Sequence, residues 1–492
     1  MCDLLHICVG GTANVSDPKI QEKLSIIDSL VQERQELLEA TDKYSCTPIL
    51  TDDIHVALLI KLIEKGADIY RSNSSRQILL HKCCHLPQIE YQKLASFLVQ
   101  NGHGNAFKVR DVGGFTPIRF VVQAHDLESE TLSLLSTSGF DLNEVDEHGN
   151  SVLMYAVLGN RNSEFIDLLI KHGADWKLNG ACERTVIHFA AWHGNLSALE
   201  YFLAKGMDIN TKCANLSTPL HYAVLGSTQN RSKLELLKFL VDNKADLNAR
   251  DRKSYTVLHH AVTSPHEQVV EMVEYLMSCG ADINAVDEGN CAVMNLAAQN
   301  MSPYLYDKLL HAILNTSTRL EAIPDNQGCT FIHWAVLLME PLKRTLETFA
   351  EHWDINCVDT LKWNSVLFLA VQGKRSETCL NHLIQLGADW KKLNAKDLTV
   401  LHYAALAGNL EAVKFFIKKG CNVNARDVNG DTVLHTSLSA MNDQQYEIVM
   451  ELVKNGADLS ARNRHFQTCY EYALSLAELG ELDERIVNVL NE

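Results

Sequence analysis

The chain has 492 residues, with 44 Lys and Arg against 61 Asp and Glu, a formal charge of −17. That balance argues against a nucleic-acid binder, which gathers cations on one face, and favours the steering of basic peptides or basic protein surfaces. A hydrophobic share of 46% with only 9 prolines and 25 glycines excludes a disordered or fibrous chain, and no stretch approaches the roughly 18 uninterrupted apolar residues of a membrane span.

Residues 1–15 carry no period. Met1 to Val9 includes Asp3 and His6 and lacks the basic and apolar regions of a secretory leader, so none is expected. Fourteen cysteines lie scattered without a spaced framework. They read as free, reduced thiols, which points to a reducing compartment: the cytoplasm, with the nucleus also compatible. Asp17-Pro18 then opens a helix, an acidic cap followed by proline at the first helical position. Ile20, Leu24, Ile27, Val31 and Leu38 form one apolar stripe to about residue 40. Arg34 interrupts the seam that a coiled coil would need, so a flanking helix capping whatever follows is the expectation for residues 1–41.

From residue 42 a six-residue phrase recurs. It is clearest as Thr185-Val-Ile-His-Phe-Ala190, Thr218-Pro-Leu-His-Tyr-Ala223, Thr256-Val-Leu-His-His-Ala261, Thr330-Phe-Ile-His-Trp-Ala335 and Thr399-Val-Leu-His-Tyr-Ala404. A second phrase follows most copies: Gly173-Ala-Asp175, Gly280-Ala-Asp282, Gly387-Ala-Asp389, Gly456-Ala-Asp458. Earlier copies are weaker, at Thr47-Pro48, Leu80-His81, Thr116-Pro117 and Ser151-Val-Leu-Met154. The eighth, Ala292-Val-Met-Asn-Leu-Ala297, lacks both the histidine and the closing Gly-Ala-Asp, and the connection Leu314 to Pro324 stands instead. That repeat is expected to loosen the stack between about residues 300 and 328, as a hinge or a docking site. Later copies begin at 330, 365, 399, 432 and 468, the last running into a capping helix around Leu482 to Leu490.

Two phrases in phase at a period of about 33 to 38 residues resemble the ankyrin-repeat family, two helices and a β-turn per repeat. The resemblance implies an all-α solenoid of about thirteen repeats: a flanking segment 1–41, repeats one to eight over 42–328, and repeats nine to thirteen over 329–492. It also implies a monomer whose concave side, about 100–130 Å along the arc at 8–10 Å per helix layer, binds other proteins or extended segments. Within each repeat, Thr is expected to cap the inner helix and Gly to end the outer one.

Candidate chemistry dissolves into scaffolding under this reading. His81, His188, His221, His259, His333, His402 and His435 share the fourth position of the phrase, where the family places a histidine that bonds adjacent repeats. His81-Lys-Cys83-Cys84-His85 offers zinc-ligand types, but one helix turns adjacent cysteines about 100° apart and no second pair exists. No phosphate loop, nucleophile elbow, metalloprotease or kinase signature occurs, so neither catalysis, cofactor nor metal is expected. Asn143, Asn248 and Asn284 fall in a hairpin pattern resembling the targets of an asparaginyl hydroxylase.

The positions the family leaves free to vary flank the hairpin glycine and end the inner helix. Here they are Glu147, His148, Asn150, Trp192, His193, Arg252, Lys253, Tyr255, Asn326, Gln327, Trp363, Val428, Asn429 and Asp431. Trp192 and Trp363 stand out because tryptophan is enriched in interface hot spots. Trp176 and Trp390, directly after Gly-Ala-Asp, are expected to pack between repeats. The function so implied is a non-catalytic adaptor or scaffold. The alternatives are an inhibitor that masks a signalling or transcription-factor surface, and a toxin or effector array.

Overall fold

The structure, a computed structural model, describes residues 19–33, 35–41, 46–50, 55–83, 86–124, 132–133, 141–226, 233–264, 268–316, 318–440, 443–478 and 482–491. The Asp17-Pro18 cap, Arg34, Cys84 and His85 lie outside them. Among the described residues the regular structure is helical, with isolated bridges such as Val358 with Ser365 in place of sheet. No helix among them is long and apolar enough to cross a membrane. Contacts divide the chain into two compact units, Met1–Asp246 and Leu247–Glu492.

The first unit opens with the helix Lys19–Glu33, which packs against Val56–Glu64. The apolar stripe expected to run to residue 40 as one helix is divided: the α-helix ends at Glu33 and a tighter 3-10 helix spans Gln35–Glu39. Ile20, Ile27, Val31 and Leu38 are still buried along it. Asp28 sits between Lys61 (3.2 Å) and Lys65 (2.6 Å). Inner helices Pro117–Ala124, Val152–Leu158, Val186–His193 and Pro219–Leu225 then stack in sequence. Behind them Ser163–Lys171 packs on Leu196–Ala204. Leu153, Ala156, Ile187, Ala190 and Ala223 are fully buried. The alanines let neighbouring helices approach, and each buried Leu or Ile contributes about 2 kcal/mol.

The second unit repeats this order from Val257–Thr263 to Cys469–Glu478 on the inner side and from Val269–Ser278 to Gln445–Lys454 on the outer. It ends with Glu484–Asn491, whose Ile486 and Leu490 are buried where the helix packs against the two preceding ones. Gly387 shows why glycine closes the outer helices. Its φ is +100°, and the next amide reaches back from Ala388 to Leu383 O (2.9 Å), a left-handed stop open to glycine at least cost.

Two polar ladders tie successive repeats. In the first, His188 Nδ1 accepts the Thr185 backbone N–H (3.1 Å) while Nε2–H donates to Ser217 O in the next repeat (3.1 Å). His81, His259, His402 and His435 bond forward in the same way, to Phe115, Cys291, Asp431 and Gln467. As expected, the threonine hydroxyl takes part in capping the inner helix, in a reciprocal box with the histidine at Thr185, Thr218, Thr256, Thr330, Thr399 and Thr432. At Thr185 it lies 2.9 Å from the imidazole nitrogen, and at Thr399 and Thr432 it also accepts the amide three residues on (3.3 and 3.4 Å). In the eighth repeat Asn295 replaces the histidine and donates its amide to Ile323 O and Cys329 O (3.3 Å each).

The second ladder is made by asparagines. Asn143 Nδ2 donates to Gly173 O (2.9 Å) and its Oδ1 accepts the Asp175 N–H (2.6 Å). Asn210, Asn248, Asn284, Asn356 and Asn424 do the same one repeat ahead. Asn284 reaches Arg319 O (2.8 Å) and Glu321 N (3.0 Å). The connection after the eighth repeat, expected to be loose, is thus held by the same pair of hydrogen bonds as the others. The lost glycine stop is compensated by backbone that presents a carbonyl and an amide at the required positions.

Candidate partner-binding surface

Many of the hairpins are built by a side chain that folds its own backbone. Asp325 Oδ1 accepts the amides of Gln327 (2.9 Å) and Cys329 (3.0 Å); Asp146, Asp251, Asp287 and Asp427 do likewise. The second oxygen points back to the inner helix, receiving Trp334 Nε1–H (2.7 Å) at Asp325 and facing His260 Nε2 (2.9 Å) at Asp251. Short polar side chains favour such turns because they supply the acceptor that the tight backbone lacks. These carboxylates are engaged in structure.

Adjacent hairpin tips are bonded to one another. In the second unit the amides of Glu288, Asn326, Thr360, Ala395, Val428 and Arg464 donate to Lys253, Gly289, Gly328, Lys362, Lys396 and Asn429 O, at 2.9–3.3 Å. The result is a ribbon of tips bonded from one repeat to the next. The residue three places after the turn-forming Asp or Asn adopts positive φ. It is glycine at 149, 328 and 430, but Ser254, Asn290, Asp397 and Phe466 at the same register elsewhere, and Leu216 does the same three places after Cys213. The extra residue in the tenth hairpin brings Trp363 to this conformation.

The residues expected to face a partner divide into two groups. Glu147, His148, Arg252, Lys253, Asn326, Gln327, Trp363, Val428 and Asn429 are exposed at hairpin tips. The others are turned inward. Asn150 Nδ2–H donates to the Tyr155 hydroxyl (3.3 Å) beside Asp146. Tyr255 stacks on His259 at 5.3 Å. Asp431 accepts Asn463 Nδ2–H (2.9 Å). Trp192 lies edge-on to Tyr222 (5.9 Å), and burial pushes the neighbouring His193 below its ordinary pKa. Asn143, Asn248 and Asn284 already spend both amide atoms on the next repeat. Trp176 is half-buried, 6.5 Å from Phe202 of the following outer helix, and Trp390 is half-buried with Lys391 Nζ 5.4 Å above its ring.

Burial accounts for the titration of the ladder. Desolvation pushes His188 and His259 down to about 4, against a partial counter-effect of their bonds to carbonyls. His81, His333 and His402 are lowered for the same reason. Desolvation pushes buried Cys329, Cys379 and Cys469 and half-buried Cys357 up to about 12. These shifts belong to packing, and no group of three or more His, Cys, Asp or Glu able to hold a metal ion occurs among the described residues.

Leu361 (63% exposed) and Phe466 (79%) are among the exposed apolar residues that the sequence reading did not mark. The signal for Phe466 was available in its register, since a bulky side chain stands where hairpins of the same phase carry glycine.

A family model described as ankyrin repeats (3 copies) matches residues 120–213, 153–251, 188–287 and 367–463, more than half of the chain. The chain is 29% identical over 234 residues to Ankyrin repeat protein nuc-2 of Neurospora crassa, covering 47% of this chain and 20% of that protein. It is 26% identical over 456 residues to the human Transient receptor potential cation channel subfamily A member 1, covering 76% of this chain and 39% of that protein. Over 255 residues it is 28% identical to the mouse B-cell lymphoma 3 protein homolog, with coverage of 51% and 46%. The chain therefore spans less than half the length of each of these relatives. With two in-phase phrases, stacked helix pairs and a matching family model, this chain belongs to the ankyrin-repeat family.

Proposed function

We propose that the chain is a non-catalytic adaptor that binds partner proteins on its hairpin tips and on the adjoining ends of its inner helices. The observation that carries this reading is a division of labour. The recurring His, Asn and Asp side chains are consumed in bonds within and between repeats, whereas Glu147, His148, Arg252, Lys253, Asn326, Gln327, Trp363, Val428 and Asn429, which differ between repeats, are exposed on the bonded tips. Such a surface is preorganised, so a partner binds it with little ordering cost on this side. The reading includes a cytoplasmic location, with the nucleus compatible, and a monomeric chain. Because the repeats are rigid and serially arranged, separate stretches of tips can hold separate partners, which is the property of a scaffold.

The test is affinity capture with mass spectrometry from cells expressing the chain, comparing wild type with Arg252→Glu/Lys253→Glu and with Trp363→Ala. Loss of distinct sets of proteins from the two variants is the expected result. Identical partner lists from all three would remove the tips as the binding surface.

A further inference from the structure

In the second unit, two large aromatic residues occupy backbone that is unfavourable for them. Trp363 has φ +56° and Phe466 has φ +60°, in the left-handed region where Gly328 and Gly430 stand in equivalent hairpins. For bulky side chains that conformation is an outlier. Neither residue recovers the cost by packing: Trp363 is 61% and Phe466 79% exposed. Strain carried by a side chain with no internal use is an observation that points to an external one.

The ribbon between them has a definite character. Leu361 (63% exposed) and Val428 (38%) add apolar surface. Lys362, Lys396 and Arg464 are exposed beside them and make no ion pair among the described residues. Acids of the same hairpins are largely withdrawn: Asp359 is 2% exposed, and Asp427 and Asp431 accept hydrogen bonds from the turns. Asp397 is an exposed carboxylate beside the three cations, and Asp389 and Asp458 are exposed where their hairpins begin. A chain of net charge −17 thus presents a locally basic, aromatic strip. Charges more than about 8 Å away are largely screened at physiological ionic strength, so the strip and not the total decides what binds there.

We infer that the tips from Leu361 to Phe466 bind an extended acidic segment of another protein, with Trp363 and Phe466 each receiving an apolar side chain. This rests on the protein-binding reading above and gives it a partner chemistry opposite to the one the net charge suggests. Trp363 and Phe466 are three repeats apart, about 25–30 Å at 8–10 Å per helix layer. An extended chain rising about 3.3 Å per residue covers that in eight or nine residues. The segment therefore carries two apolar anchors about eight residues apart, with Asp or Glu between them facing Lys362, Lys396 and Arg464. A single-stranded nucleic acid also stacks on aromatic residues beside cations. Three free cations on so acidic a chain give a polyphosphate too little charge to neutralise, which favours the peptide.

The test is selection of random 14-residue peptides displayed on phage against the full chain, with counter-selection on Trp363→Gly/Phe466→Gly. Glycine suits the positive φ at both sites, so the variant is expected to fold, as circular dichroism will check. The expected result is enrichment of acidic peptides with paired apolar residues at the stated spacing. The best peptide should bind at least tenfold more weakly to that variant and to Lys362→Glu/Lys396→Glu/Arg464→Glu. Enrichment of basic peptides, absence of enrichment, equal binding by the variants, or tighter binding of a 20-nucleotide thymidine strand would each overturn the inference. Cross-linking with mass spectrometry in cells separates the two levels. Proteins cross-linked only at other tips would end this inference and leave the adaptor reading standing, whereas none cross-linked anywhere would end both.

Discussion

Acid should unfasten the histidine ladder, and His188 is where the effect can be isolated. The ring is fully buried, with Nδ1 accepting the Thr185 amide and Nε2–H donating to Ser217 O. A second proton would set an N–H against the Thr185 N–H and place a charge away from water, which is why the folded value is pushed down to about 4 from 6.5. As the pH falls below 6.5 the unfolded chain takes up its proton first, so the stability held above pH 6.5 drains away and the loss is complete near pH 4. At about 1.36 kcal/mol per pH unit of difference, the total is about 3 kcal/mol, of which about 2 kcal/mol is lost by pH 5.0. Other buried histidines lose stability in the same direction, so the clean observable is a variant difference. His188→Asn is suitable, because Asn295 shows that an asparagine at this position still donates to the next repeat. Repeat arrays can unfold in parts. Hydrogen exchange of the helix Val186–His193, corrected for its intrinsic pH dependence, is therefore the assay to set beside urea unfolding. The advantage of wild type over His188→Asn should shrink by about 2 kcal/mol between pH 7.5 and pH 5.0. A difference that does not change with pH would refute the assigned tautomer and the burial argument together.

Three further outcomes follow from the same geometry. Asn356→Ala removes the bonds to Gly387 O (2.9 Å) and from Asp389 N (2.8 Å); it should cost about 1–2 kcal/mol in urea unfolding, with faster exchange in the hairpin around 387–398. Trp363→Gly should leave stability unchanged or raise it by about 1 kcal/mol, since relief of the left-handed backbone, about 1–2 kcal/mol, outweighs the loss of an exposed ring. A fall of more than 1 kcal/mol in calorimetry would show that the indole packs in solution. Brief alkylation at pH 8 followed by peptide mass spectrometry should label exposed Cys182 and Cys279 at least tenfold faster than buried Cys329 and Cys469, whose thiols are pushed up to about 12.

Much of this molecule is local, and what is local was readable in order along the chain. The hexapeptide, the closing Gly-Ala-Asp and their common period specify a helix start, a helix stop and a turn within one repeat, and each repeat meets mainly its neighbours. A period in the sequence is therefore a period in space, and the family and the all-α class followed from it. The histidine and alanine positions were legible as scaffolding for the same reason. Tertiary contacts decided what lies between repeats. Asn284 finds Arg319 and Glu321 across a connection with no recognisable motif, so the eighth repeat is bonded where its sequence suggested slack. Asn150, Tyr255 and Asp431 vary like contact residues but are turned inward by Tyr155, His259 and Asn463. Phe466 and Leu361 project outward, although neither lay at a position the repeat pattern marks as free. Composition and period can specify a repeat because its bonds are short-range; which side of a tip a side chain takes depends on groups one repeat away, and that only the stacked structure determined.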